Sequence, residues 1–131
     1  MGKFLTPLRA EKIREAGSLG RAKWRLTEPL QFSSSYLDEV LEVPAGFETD
    51  FASVPRIPVA YWLTGDTAHA AAVIHDYLVR TRTENSAQWA DAASVFTEAM
   101  AAEKVAGWRR SAMYWIVLGA DPYQQNTEQW G

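Results

Sequence analysis

Four residues carry the chemistry open to this chain: Asp50, the adjacent pair His75 and Asp76, and Asp91. Imidazole titrates near neutral pH, so a positioned histidine can take a proton and return it. Carboxylates bind hard cations: Asp50 and Asp76, helped by backbone carbonyls, would suit calcium or magnesium. Zinc fits less well. The chain has no cysteine and two histidines, and the six-residue spacing of His69 and His75 puts them on different faces of one helix. A serine nucleophile would be Ser53 with His75 as its base, but the G-x-S-x-G elbow that such a site uses is missing.

These side chains can meet only if helices bring them together. The pattern predicts a first helix from about Thr67 to Arg82, with Asp66 as its cap and Ala70, Val73, Ile74, Tyr77 and Leu78 on its main apolar face. His75 and Asp76 fall on the other side, beside Ala72 and Val79. A second helix starts at an Asn85 or Ser86 cap and runs to about Lys104, with Trp89, Ala92, Ala93, Phe96, Ala99 and Met100 at helical spacing. Asp91 points away from Trp89 and Phe96, toward Val95 and Glu98. The short connection makes the two helices antiparallel neighbours, so Asp91 could face His75 across the gap. The competing reading is structural. Asp76 pairs with Arg80 one turn on, His75 and Asp91 form a buried hydrogen bond that locks two helices, and Asp50 caps a turn.

The rest of the chain predicts a single α+β domain over 1–131. A small set of antiparallel strands and turns occupies about 4–58, a three-helix bundle 66–119, and a polar tail 120–131. Trp24, Leu26, Leu30 and Phe32 keep the strand period, and Pro29 within the run points to an edge strand. Ser33 to Ser35 read as a loop and Val40 to Val43 as a strand. Val43 to Gly46 read as a tight turn, and the segment from Phe47 to Pro58 as a packed, irregular crossover. Residues 4–16 are open between helix and strand. A third helix starts near Gly107 and ends at Leu118; its apolar run, Tyr114 to Leu118, predicts a place at the centre of the bundle.

Composition narrows the partners. At 131 residues and 47% hydrophobic content, one core suffices. The net charge of −3 comes without a basic face, so no nucleic-acid partner is expected. No apolar run is long enough to span a bilayer, and the N-terminus lacks a signal-peptide core. The tryptophans are assigned to core or interface, with no catalytic role.

The motif from Gly46 through Thr49-Asp50-Phe51-Ala52-Ser53-Val54-Pro55 to Arg56 resembles a family common in tailed bacteriophages and prophages and without a settled activity. The likeness continues at Ala71 to Leu78, at Ala90-Asp91 with Phe96, at Glu98-Ala99-Met100, and at Trp108 and Met113-Tyr114. It covers about Phe4 to Gly119. It implies a phage protein made in the host cytoplasm and carried in the virion at the tail or tail tip, in contact with other virion proteins. A more distant resemblance is to phospholipase A2 enzymes, which carry His-Asp on one helix and Ala-Asp or Cys-Asp on its antiparallel neighbour. It implies His75 as general base, Asp91 as its orienting partner and Asp76 as a calcium ligand, with Asp50 as an added ligand. Val79 stands where both patterns place a tyrosine. Such an enzyme would be a metal-assisted hydrolase acting on the bacterial envelope during infection. A third role, an early phage protein binding a host target, has no positive sign in the sequence.

Overall fold

Strict alternation of inward and outward side chains builds the first layer. In the computed structural model, which describes residues 2–14, 23–49, 69–105 and 107–124, strand β4 (Leu30–Ser34) buries Leu30, Phe32 and Ser34, and strand β5 (Glu39–Val43) buries Leu41 and Val43. The two pair antiparallel with Phe32 opposite Leu41 and Leu30 opposite Val43, which puts the large apolar side chains on one face. Strand β1 (Lys3–Phe4) completes a sheet in the order β1-β4-β5, with the Phe4 ring 4.7 Å from that of Phe32. A second antiparallel sheet joins β2 (Ala10–Arg14), β3 (Lys23–Leu26) and β6 (Glu48–Thr49) in the order β2-β3-β6. Residues 4–14 therefore contain no helix: Phe4 ends β1, Ala10–Arg14 form β2, and the five residues between them are irregular.

Two strand expectations need correction. Pro29 does not sit in an edge strand. It lies between β3 and β4, the central strands of two different sheets. Lacking an N–H, it ends one ladder where the chain changes sheet. Ser33 and Ser34 are not loop: they finish β4, and the turn is Ser35 to Asp38, with Asp38 in the left-handed region at φ 56°. The tight turn after β5 falls one residue later than expected. The amide of Phe47 donates to the carbonyl of Pro44 at 3.2 Å, and Gly46 takes φ 90° at the third position, where a type II turn demands glycine.

The helical layer contains α1 (His69–Arg82), α2 (Ser86–Ala102) and α3 (Gly107–Gly119), followed by a short 3-10 turn at Pro122–Gln124. Asn85 caps α2 by accepting from the amide of Gln88 at 2.9 Å. At the other end Lys104 turns left-handed at φ 65°, and the amide of Val105 bonds back to the carbonyl of Met100. Asp66, the expected cap of α1, and most of the 47–58 crossover lie outside the described residues.

The middle helix is α2, not α3. It packs against α1, α3, β1 and β4. On α3 only Met113 and Val117, one turn apart, are buried, while Trp115 is 68% exposed. The apolar run there is continuous in sequence, but one face alone reaches the bundle. Trp89 fastens that face, its indole N–H donating to the carbonyl of Val117 at 2.8 Å.

Helices and sheet are held together by a carboxylate. Glu98 of α2 accepts from Ser34 Oγ at 2.7 Å and from the amides of Ser35 at 2.8 Å and Tyr36 at 3.2 Å. Three charge-assisted bonds to one turn predict that Glu98→Ala lowers unfolding free energy by about 2 kcal/mol in urea denaturation, with Glu98→Gln recovering part of the loss. An unchanged midpoint for Glu98→Ala would remove this contact from the account of stability.

Candidate functional site

His75 is sealed inside the helical layer. Only 2% of its surface is exposed. Its ring lies 5.1 Å from that of Phe96 and 5.7 Å, edge-on, from that of Trp89, both on α2. Neither Nδ1 nor Nε2 has a hydrogen-bond partner among the described residues. Loss of water penalises the charged imidazolium, and this burial lowers the pKa to about 4 against the opposing pull of the Asp76 charge. His75 is accordingly neutral at neutral pH.

Asp76, the next residue, faces the sheet. It accepts from Thr49 Oγ1 on β6 at 2.7 Å, from Arg80 Nε at 3.0 Å, and from a terminal nitrogen of the same guanidinium. Arg80 also donates to the carbonyl of Glu48, and its guanidinium lies 4.4 Å over the Phe47 ring. The i,i+4 pairing foreseen as the structural alternative is thus present, and it fastens α1 to β6. Both Asp76 oxygens are engaged, so a cation there would have to displace the guanidinium. Asp50 and Ser53 lie outside the described residues. Among the described residues no three acidic, histidine or cysteine side chains converge to hold a metal.

Asp91 is exposed and turned elsewhere. The hydroxyl of Tyr36, in the turn between β4 and β5, donates to its Oδ1 at 2.7 Å. That bond, with burial and the carboxylate charge, raises the pKa of the phenol. The helices α1 and α2 pack on each other as expected. They do not join His75 to Asp91 by a hydrogen bond, either as a catalytic dyad or as a structural lock. Trp89 and Phe96 are seven residues apart on one face and occupy the space against the imidazole. Asp91, two residues past Trp89, projects some 200° round the helix.

Spacing does not single out Glu103. Glu103, just past α2, accepts from the amides of Ala71 at 2.7 Å and Ala70 at 3.3 Å, covering free donors in the first turn of α1. Burial raises its pKa, against the lowering effect of those two amides. His69 stands at the start of α1 and lines a pocket of about 320 Å³ with Leu8, Ala10 and Trp24. A second pocket, about 190 Å³, opens on the seam of α1 and α2 beside Asp91. The local i,i+4 rule finds the Asp76 and Arg80 pair. No local rule finds contacts spanning thirty to sixty residues.

A family model described as a protein of unknown function, DUF1353, matches residues 24–117. That stretch runs from β3 nearly to the end of α3 and contains Thr49, His75, Asp76, Arg80 and Asp91. No curated protein and no solved structure matches the chain. Among the described residues no helix is long and apolar enough to cross a membrane.

The burial of His75 sets a pH dependence. Its folded pKa, about 4, lies below the ordinary 6.5, so the unfolded chain binds more protons between those values. The neutral ring's contribution is complete above pH 6.5 and is lost as pH falls toward 4, by about 3 kcal/mol in all. His75→Phe should flatten that part of the stability curve and leave stability at pH 7 equal or higher, since two unpartnered buried nitrogens disappear. An unchanged acid slope would show that the imidazole is not the titrating group. Arg80→Ala should cost about 2 kcal/mol by strips of the same curve at neutral pH, because it leaves a mostly buried carboxylate with Thr49 alone. A loss below a few tenths would mean that the clamp contributes little.

Proposed function

The chain belongs to the DUF1353 family, and we propose that this member is a bacteriophage protein, a virion component at the tail or tail tip that works through contacts with other virion proteins. Its phage setting is supported by the resemblance carried by residues 46–56, 71–78 and 90–91. The contact role is supported by one observation above all: the best proton-transfer candidate, His75, is sealed between Trp89 and Phe96 and unbonded to Asp91. Asp76 is spent on Arg80 and Thr49, and Asp91 on Tyr36. In contrast, α3 turns Trp108 and Trp115 outward, 53% and 68% exposed. Tryptophan is the residue most often found as an anchor in protein interfaces.

One feature favours the second reading, a metal-assisted envelope hydrolase. Among the described residues neither nitrogen of His75 has a partner, as for a base awaiting water. That reading requires His75 to reach solvent, Asp76 to release Arg80 and Thr49, and Asp50 to join it on a divalent cation such as calcium. A histidine held neutral by burial is a weak base for that task.

Purified particles of the encoding phage decide between them. Mass spectrometry of gradient-purified virions should find the chain at fixed stoichiometry with tail proteins, and His75→Gln particles should keep infectivity within about tenfold, the scale of a minor packing defect. A chain confined to the soluble lysate overturns the virion reading. Normal particles whose infectivity collapses in His75→Gln, with calcium-dependent hydrolysis of lipid or peptidoglycan by wild type, would put the hydrolase first.

A further inference from the structure

The outward face of α3 alternates large and small side chains. Met113 and Val117 are buried against the bundle, and the opposite stripe of the helix holds Trp108, Ser111 with Ala112, Trp115 and Gly119. The two tryptophans are seven residues apart, about 10 Å along the axis, and point in nearly the same direction. Both are more than half exposed. The small pair lies midway between them, so the stripe runs large, small, large in either direction.

The charges of α3 run against its own dipole. A helix is stabilised by acids at its start and bases at its end. Here the first turn holds Arg109 and Arg110 and no acid, with Lys104 just ahead of it. The last turn has no base, and Asp121 follows it, buried and with Oδ2 unpartnered among the described residues. Neither Lys104 nor Arg109 forms an ion pair among the described residues. Nothing within the fold answers either end.

The two features select one occupant. An antiparallel copy of α3, crossing at Ser111 and Ala112, matches both. The small residues let the helix axes approach to about 8 Å. Trp108 of each copy then lies beside Trp115 of the other, a contact that the two-fold makes twice. Each basic start is brought toward the carbonyl end of the other helix. A parallel copy would set like charges side by side. An anionic bilayer would attract the basic start but repel Asp121 and a chain of net charge −3. A glycan stacked on the rings would find Ser111 as the one hydrogen-bonding side chain between them on the stripe.

We propose that the outward face of α3 is the interface of a two-fold dimer of this chain, with the helices antiparallel and the axis at Ser111 and Ala112. The proposal rests on the contact role inferred above and names a second copy as its first partner. A stripe on one 13-residue helix falls short of the roughly 800 Å² per partner of a standard interface, so the dimer is weak and exchanging.

The test is sedimentation equilibrium of the full chain from about 5 to 500 µM, the range in which so small an interface fills. A reversible monomer–dimer equilibrium is expected. Trp115→Ala, at an exposed position, should stay folded by circular dichroism and weaken the dimer at least about tenfold, since the loss counts twice. Arg109→Glu discriminates further. It suits the start of its own helix, so thermal stability should hold or rise, while the dimer weakens about fivefold or more. The chain has no cysteine, so Ser111→Cys should form a disulfide-linked dimer on mild oxidation, well ahead of Val40→Cys on the exposed side of β5. A monomer throughout the range overturns the pair, and binding of that monomer to lipid vesicles or a peptidoglycan fragment through Trp115 would assign the face to that ligand instead. A dimer indifferent to folded Trp115→Ala overturns it too, as does equal cross-linking of the two cysteine variants. A chain present in particles but monomeric refutes the dimer alone. A dimer missing from particles refutes the virion role alone.

Discussion

Two carboxylates one heptad apart on α2 grip a single turn of the sheet, and the remaining geometry follows from that grip. Asp91 takes the hydroxyl of Tyr36, and Glu98 takes the Ser34 hydroxyl and the amides of Ser35 and Tyr36. The short strands of this sheet bury their apolar face against the helices. Burial of Leu30, Phe32, Leu41 and Val43 provides the attraction, which has no direction. The acids provide the register. They fix which turn of α2 lies over which turn of the chain. Glu98 also leaves little room beside it: a Cβ on Gly2 would come within 2.6 Å of its Cγ and 2.5 Å of Phe32. The N-terminal strand can close over this contact because residue 2 carries no side chain.

The same logic recurs on α1, with different groups at its start and its middle. Glu103 covers the amides of Ala70 and Ala71 at the start, and Asp76 with Arg80 ties the middle to Thr49 and Glu48. With residues 70 to 76 buried throughout, α1 has no wet face along that stretch on which to keep a polar group. His75 is the exception that remains unbonded. It stays because a neutral imidazole is flat, fits against Phe96 and Trp89, and costs far less to bury than an imidazolium. The cost is moved into acid sensitivity, not removed.

Helices were legible in the sequence because their signals are local. Asn85, the Gly107 start and the Gly119 stop act within a few residues, and the predicted bounds of α2 and α3 differ little from the observed ones. The Asp76 and Arg80 pair was legible for the same reason. Where the outcome depended on a distant partner, local pattern misled. Ser33 and Ser34 look like loop until β5 pairs with them and Glu98 accepts the Ser34 hydroxyl. Pro29 reads as an edge signal because periodicity continues through it, when two sheets happen to share a phase. The run Tyr114 to Leu118 looks central because hydrophobicity alone does not distinguish a face that meets α2 from one left exposed. Asp91 was correctly turned away from Trp89 and Phe96 by helical arithmetic. A meeting of Asp91 with His75 follows from the packing of the two helices alone, but two aromatic rings of α2 occupy the space against the imidazole.

Few groups are then left with unused bonding capacity, and their positions differ in kind. The nitrogens of His75 have capacity but no access, being enclosed by rings from α2. Asp91 has access, being exposed on α2, but its Oδ1 is tied to the hydroxyl of Tyr36. Proton transfer at His75 would require the helical layer to open, at the expense of the burial that places the ring.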